Sequence, residues 1–338
     1  MPKLSYRDAI NQALAEEMER DESVVVFGED VAEYEGSFKV TRGLLKRFGP
    51  KRVFDTPISE AAIVGMATGA ALGGLRPVPE LMTVNFAYVA MDQILNHLAL
   101  MRYMFGGQAT LPVTIRMPGG GGHQLGSQHS HSAEALFVHT AGLKVVYPAT
   151  PADAKALLKA SIRDDNPVIF LEHEGLYNFE DDVPENVAPA ALGKAALLRE
   201  GKDVTLVGYG AMTHVALEAA EQLVKEDGVS VEVVDLRTLR PWDKEMVAAS
   251  VAKTHRMVVV AESPPTCGIA AEVAANIYEI VFDELDAPIE RVSSADVPLP
   301  YAKDLEQSCI PHAPDVVHAA RKAMNIRTET VEPETRDV

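Results

Sequence analysis

The sequence predicts an α/β protein of two domains, each with a mostly parallel sheet flanked by helices. Three observations carry this. Short apolar runs alternate with stretches of helical periodicity along most of the chain, the pattern of parallel strands covered on both faces. The length, 338 residues, suits two domains better than one. An acidic, proline-containing stretch over 174–202, with Asp181-Asp182-Val-Pro and Ala188-Pro189, interrupts the rhythm near the middle and reads as a partly ordered linker.

In the first half the expected strands are Val24–Gly28, Arg52–Asp55, Val78–Met82, Val113–Met117, Lys144–Tyr147 and Val168–Glu172. Helices are expected between them at Tyr6–Arg20, Ser59–Leu72, Val89–Phe105 and Pro151–Asp164. The second series has strands at Val204–Tyr209, Val231–Asp235, Met257–Ala261 and Pro288–Val292. Its helices are Thr213–Lys225, Asp243–Ala252, Ile269–Phe282 and Pro314–Met324. The boundaries that follow are a first domain over 1–185, a linker over 186–202 and a second domain over 203–326. Residues 327–338, charged and rich in Thr and Glu, are expected to form a flexible tail.

Composition narrows the function. Lys plus Arg is 31 and Asp plus Glu is 49, so the net charge is 31 − 49 = −18. So acidic a chain repels phosphate backbones, which argues against nucleic acid as a partner. The charge would attract a basic module, although solubility is the commoner reason for it. Cys267 and Cys309 are the two cysteines, a usage that suggests reduced, buried thiols in a cytosolic setting. The most apolar helical stretch, Ala61 to Leu75, is bracketed by Glu60 and Arg76 and falls short of the roughly 20 residues a membrane span needs.

Two segments could carry chemistry. The first is Asp55-Thr-Pro-Ile-Ser-Glu60. Thr56 can cap the helix with Pro57 just inside it, and Ser59 is the rival cap. Glu60 then lies in the first helical turn, at the carboxyl end of a strand, where open α/β sheets place ligands. From spacing alone, a glutamate serving the helix dipole is the stronger reading. Gly65, Gly69 and Gly73 recur every fourth residue on this helix and each weakens it by about 1 kcal/mol relative to Ala. A tight crossing would offset that, either between subunits or within one domain.

The second segment runs from Arg116 through Gly119-Gly120-Gly121-Gly122 and His123 to His129-Ser130-His131-Ser132. It lacks the Lys-Ser/Thr ending of a phosphate loop and the glycine spacing of a dinucleotide site. A flexible, closely approaching loop fits better. His129 and His131 would share a face if extended, so a metal pair is conceivable, but no carboxylate or cysteine completes a ligand set. An acid/base histidine suits the position better.

Several motifs occur in order along the chain: Gly28-Glu-Asp-Val31, Asp55-Thr-Pro-Ile-Ser-Glu60, Gly74-Leu-Arg-Pro-Val78, Tyr103-Met-Phe-Gly-Gly107, Gln128-His-Ser130, Gly142-Leu-Lys-Val-Val146, Asp235-Leu-Arg-Thr238 and Pro298-Leu-Pro-Tyr-Ala302. Together, over roughly residues 3 to 326, they resemble the beta subunit of the thiamine-diphosphate-dependent decarboxylating component of 2-oxo acid dehydrogenase complexes. The resemblance implies a pyrimidine-binding, transketolase-like domain followed by a transketolase C-terminal-like domain. It also implies an alpha2/beta2 heterotetramer, in which the alpha subunit holds the diphosphate and Mg²⁺ while this chain receives the aminopyrimidine ring. The alpha chain's Gly-Asp-Gly with a downstream Asn-Asn does not occur in this sequence.

Carried over by position, Glu60 resembles the glutamate that shares a proton with the pyrimidine N1′. Partial burial should raise its pKa for that task. Phe86 resembles the aromatic residue packed on the ring. Glu29, Ile58, Ser59 and Met82 resemble other cofactor-lining positions. His129 resembles the acid/base histidine on the substrate side. Thr83, Val84, Asn85 and Phe86, with Ser130, His131 and Ser132, would complete the substrate pocket. The family commonly reads His-Ser-Gln-Ser where this chain has His129-Ser-His-Ser132. Ser161, Ile162, Asp164 and Asn166, with the carbonyl of Val113, resemble a segment that holds a structural K⁺ in some members; a plain helix C-terminus is the alternative.

The pocket segment Glu80-Leu-Met-Thr-Val-Asn-Phe86 is most similar to pyruvate and acetoin members. The resemblance therefore implies an oxidoreductase that decarboxylates pyruvate and acetylates lipoyl groups of a dihydrolipoyl acyltransferase core. Acetoin and branched-chain 2-oxo acids are the other substrates, and a noncatalytic partner-binding scaffold is the reading from a different class. A carboxyl-terminal contact with the core at Ile326 is doubtful, because the chain continues to Val338.

Overall fold

The structure is a computed structural model and describes residues 3–326. The expected tail, 327–338, lies outside the described residues. The chain forms two compact units. The first comprises the described residues as far as Gly120, then Gln128–Gly193 and Thr238–Pro241. The second comprises Gly121–Ser127, Lys194–Arg237 and the described residues from Trp242 onward.

In chain order the strands are β1 (Lys3–Ser5), β2 (Val24–Gly28), β3 (Val53–Asp55), β4 (Arg76–Glu80), β5 (Thr114–Gly119), β6 (Lys144–Val146), β7 (Val168–His173), β8 (Glu180–Asp182), β9 (Ala196–Arg199), β10 (Val204–Gly208), β11 (Val231–Asp235), β12 (Thr238–Arg240), β13 (Met257–Val260) and β14 (Glu290–Val292). The helices are α1 (Tyr6–Arg20), α2 (Leu44–Phe48), α3 (Glu60–Leu72), α4 (Ala99–Met104), α5 (Glu134–His139), α6 (Pro151–Arg163), α7 (Ala211–Asp227), α8 (Lys244–Thr254), α9 (Ile269–Val281), α10 (Lys303–Cys309) and α11 (Ala313–Ala323).

The first unit is built on a seven-stranded sheet in the order β12-β6-β7-β5-β4-β2-β3. All of its pairs are parallel except β12 on β6. Its strands β2 and β5 are buried at every position, so they read as continuous runs and not as alternation. Helix α1 starts where the Ser5 side chain accepts from Asp8 N, and α6 where Thr150 accepts from Asp153 N with Pro151 just inside. The two helices pack together. Ile10, Leu14 and Leu157 are fully buried, each such side chain contributing roughly 1.5–3 kcal/mol. Lys155 and Lys159 both reach Glu16 across the helix pair, at 2.7 Å each.

The second unit carries a five-stranded sheet, β14-β13-β10-β11-β9, parallel except for β9. Helices α7 and α11 close one core against β10, β11 and β13, centred on Leu206, Val233, Val258 and Val316. Among the described residues, no helix is long and apolar enough to cross a membrane.

Four expectations are corrected. The two thiols are not buried: Cys267 is exposed in a turn and Cys309 is half-buried at the end of α10. The helix anticipated over Val89–Phe105 is broken into a 3₁₀ turn (Val84–Ala90), a π-helical stretch (Gln93–Leu98) and α4. Thr56 does not cap α3. The helix begins at Glu60 behind Ser59, which makes no side-chain capping bond. The strand anticipated at Val78–Met82 lies two residues earlier. Pro77 and Pro79 have no N–H to offer, and the β4–β5 ladder is registered only at Glu80 opposite Arg116. Met82 therefore lies in the loop beyond the strand. The short elements β1, β8, β9, β12, α2, α5 and α10 were not anticipated; strands of three or four residues have too few positions to show a period.

Of the stripe on α3, Gly65 lies against the Gln93 side chain, since a Cβ there would stand 3.3 Å from Gln93 Oε1. That is packing within the chain. Gly69 faces open space.

Candidate active site

In the first unit's sheet, β2 leads to β3 on one side, while β4 leads to β5 on the other. Their carboxyl ends flank a topological switch point, the place where an open parallel sheet leaves a crevice. Backbones approach closely here: a Cβ on Gly28 would stand 2.4 Å from the Glu80 carbonyl oxygen.

Two carboxylates meet at this edge. Glu29 follows β2 directly, and Glu60 opens α3; both are buried. Glu29 Oε1 has no hydrogen-bond partner. Burial pushes the Glu29 carboxyl above the usual range, and the charges of Glu60 and Asp30 push it the same way. Ile58 is 84 % exposed just before the helix, a large apolar side chain left open to a ligand or partner. Ser59 is half-buried.

The segment after β4 carries Met82, Thr83, Val84, Asn85 and Phe86. Val84 seals the end of β5, where a Cβ on Gly119 would stand 2.7 Å from Val84 Cγ1. The Phe86 ring meets the His129 imidazole edge to face, at 5.4 Å and 84°. Asn85 Nδ2 lies 2.8 Å from His131 Nδ1, and Thr83 Oγ1 donates to Asn85 Oδ1 at 3.2 Å. Ser130 is buried and its Oγ lacks a partner. Burial holds the His131 imidazole below its ordinary pKa. Thus the structure brings six of the residues taken from the sequence into two groups: the Glu29–Glu60 pair, and a cluster of Phe86, His129, Asn85 and His131.

The set resembling a potassium site lies at the opposite edge, where α6 ends and β5 and β7 begin. Several of its oxygens already have partners. Arg76 Nη1 donates to Ile162 O at 3.0 Å, and Lys144 pairs with Asp164, whose other oxygen accepts from Asn166 Nδ2 at 2.8 Å. Ser161 Oγ donates to Leu157 O at 2.7 Å, and Val113 O accepts from Val168 N at 2.9 Å. Among the described residues, no three His, Cys, Asp or Glu side chains gather as a metal site.

A second buried polar cluster escaped the sequence reading. Arg116, fully buried, donates to Glu80 at 2.6 Å and to both oxygens of Glu172 at 2.7 and 2.8 Å. Tyr177 Oη also donates to Glu172, at 2.7 Å. Burial works against the guanidinium's charge, but Glu172 and Glu80 keep it firmly protonated. The available signal was a charge inside an otherwise apolar strand, at Arg116 and at Glu172.

Comparison with known proteins gives the chain's class and family. Residues 2–180 match the family model described as transketolase, pyrimidine binding domain, and residues 193–316 match transketolase, C-terminal domain. A solved split-gene transketolase, in an inactive beta4 tetramer, superposes with a TM-score of 0.78 at 26 % identity over 96 % of this chain and 99 % of its own. The chain is thus a two-domain protein of the transketolase class. Within that class it belongs to the family of pyruvate dehydrogenase E1 component beta subunits. It is 48 % identical to the member from Rickettsia felis over 95 % of this chain and 98 % of the relative. The mitochondrial beta-2 subunit of Oryza sativa subsp. japonica is 47 % identical, over 95 % and 86 %. That of Caenorhabditis elegans is 47 % identical, over 96 % and 93 %.

Proposed function

We propose that this chain is the beta half of a thiamine-diphosphate-dependent dehydrogenase. With an alpha subunit, it decarboxylates pyruvate oxidatively and passes the acetyl group to lipoyl-lysine on an acyltransferase core. The observation that carries the reading is the buried pair Glu29–Glu60 at the switch point, one of its oxygens unanswered. A ligand that brings both a basic nitrogen and an N–H group satisfies such a pair, and an aminopyrimidine ring has both.

Thiamine diphosphate, when bound, supplies the electron sink that accepts the pair released by decarboxylation. The chain's own residues do the rest. Glu60 holds a proton at the pyrimidine nitrogen, in a place dry enough for the proton to be shared. Glu29, raised in pKa beside it, donates or accepts as Glu60 changes charge. Ile58, Met82 and Phe86 exclude water from the ring. His129, at the exposed end of the cluster, moves a proton on the substrate side during acyl transfer. The diphosphate and Mg²⁺ belong to the alpha subunit in this reading. A K⁺ at the opposite edge would share oxygens with Arg76 and Lys144, and no step rests on it.

Glu60→Gln in a reconstituted alpha/beta complex tests the assignment. The glutamine keeps the size and the assembly but cannot carry the proton. Decarboxylation should fall about 10²-fold or more. Normal turnover by the assembled variant would end the reading and leave a partner-binding scaffold. The substrate profile of the wild-type complex separates pyruvate from acetoin and branched-chain acids, where one or two methylenes are worth about 1–3 kcal/mol.

A further inference from the structure

We infer that His131 is a neutral imidazole, protonated on Nε2, that latches the segment after β4 to the loop after β5 and so sets Phe86 against His129. The inference deepens the proposed function and rests on it for the role of those two residues. The latch itself rests on hydrogen-bond chemistry.

Asn85 touches His131 twice. The backbone N–H of His131 lies 3.5 Å from Asn85 Oδ1, and the ring Nδ1 lies 2.8 Å from Asn85 Nδ2. A backbone N–H can only donate, so the amide oxygen must face it. Thr83 Oγ1 donates to that same oxygen at 3.2 Å. The amide NH₂ is then turned toward the ring, and it too can only donate. Nδ1 must accept, which places the ring proton on Nε2. An imidazolium would set one N–H against another and lose the bond. Burial favours the uncharged ring in the same sense.

The other side of His131 is pinned as well. Its carbonyl accepts from Gly120 N at 3.0 Å, at the end of β5. A Cβ on Gly119 would stand 3.0 Å from that carbonyl oxygen, so the loop returns onto bare glycine backbone. The Tyr88 ring covers the imidazole at 5.4 Å and 44°. Asn85 is the neighbour of Phe86, and His129 precedes His131 by two residues. The Asn85–His131 bond therefore lies beside the Phe86–His129 edge contact and holds both partners of it. Displacement of a reacting group by even 1 Å can cost about 10²-fold in rate, which gives such a latch catalytic weight without touching substrate.

Glutamine offers an acceptor oxygen to the same amide. Leucine fills the space and offers none. In the reconstituted alpha/beta complex with pyruvate, His131→Gln should turn over at least about tenfold faster than His131→Leu, with the loss in kcat more than in KM. Asn85→Asp presents only acceptors to the ring and favours an N–H on Nδ1. The bond then survives protonation of the ring, so any fall in kcat at acid pH that comes from loss of the latch should be suppressed in this variant. The tautomer is read directly from ¹⁵N shifts of the wild-type complex made with labelled histidine: Nδ1 unprotonated and Nε2 protonated near neutral pH. A protonated Nδ1, or equal rates for the Gln and Leu variants, would overturn the latch. A wild-type complex inert toward every 2-oxo acid would instead overturn the proposed function and leave the ¹⁵N result standing.

Discussion

Two buried glutamates, one in each unit, show what separates structural burial from chemistry. Glu232 lies on β11 of the second unit and is 2 % exposed. It is fully answered: Ser250 Oγ donates to it at 2.6 Å, Gly201 N at 3.1 Å, and the Lys253 ammonium pairs with it. Thr205 extends the network through Ser250 and Thr254, at 2.8 and 2.6 Å. Glu29 in the first unit is 5 % exposed, yet one of its oxygens has no partner and the charge of Glu60 opposes its own. Burial is nearly equal, so burial does not distinguish them. The unanswered oxygen and the like charge do, because each leaves free energy for a ligand to recover. The Arg116 cluster shows that the contrast is not one of unit against unit: it lies in the first unit's sheet and is as fully answered as Glu232.

The largest effect expected from this contrast is at Arg116. Arg116→Met strands Glu80 and Glu172 without a cation, and breaking a buried pair in this way costs about 3–5 kcal/mol. Urea unfolding should show the loss in the midpoint with the slope unchanged. A loss under about 1 kcal/mol would mean that the carboxylates are protonated or solvated, and that the cluster does not hold the sheet. Glu232→Gln should cost less, about 1–2 kcal/mol, because the amide oxygen still accepts from Ser250 while the Lys253 pairing goes. Turnover of the assembled enzyme should be unmoved. A fall in kcat as deep as that of Glu60→Gln would erase the distinction between answered and unanswered carboxylates.

The sheets were legible because strands such as β2 and β11 are short apolar runs with helices between, a period that survives without knowledge of contacts. Helices α1 and α6 were legible to within a residue from their periodicity, and the structure shows their starts fixed locally, by Ser5 and by Thr150 with Pro151. The break between Ala90 and Ala99 was not, because helical periodicity does not distinguish 3.6 residues per turn from neighbouring 3₁₀ and π turns. Glu60 could be singled out by its place at the head of a helix after a strand. Its pairing with Glu29, more than 30 residues away in sequence, depends on the order in which β2, β3 and β4 are laid side by side. The Arg116–Glu80–Glu172 cluster draws on three strands in the same way. The bond between Asn85 and His131 is a property of two loops and leaves no period at all.

The smallest effect has the opposite sign and tests the contrast most directly. The Glu29 carboxyl titrates above its ordinary value in the folded chain, first through burial and then through the charges of Glu60 and Asp30. The unfolded chain has the ordinary value, near 4.3. Between the two values the native state binds the extra proton, so stability falls as pH rises across that window, and the cost is fully present above the folded value. Glu29→Gln cannot ionise and escapes the cost. The variant should match the wild type near pH 4 and exceed it at pH 7 by roughly 1 kcal/mol, about what an unsatisfied buried acceptor costs. Thermal unfolding of the purified chain at the two pH values reads this as a rise in Tm of a few degrees at pH 7 only. The same substitution in Glu232 should lower Tm at pH 7, because there the charge is matched. A Glu29→Gln chain less stable than wild type at pH 7 would show that the carboxylate is already answered in the folded protein. Gain in stability with loss of turnover is the signature of a group held at a cost for a ligand to use.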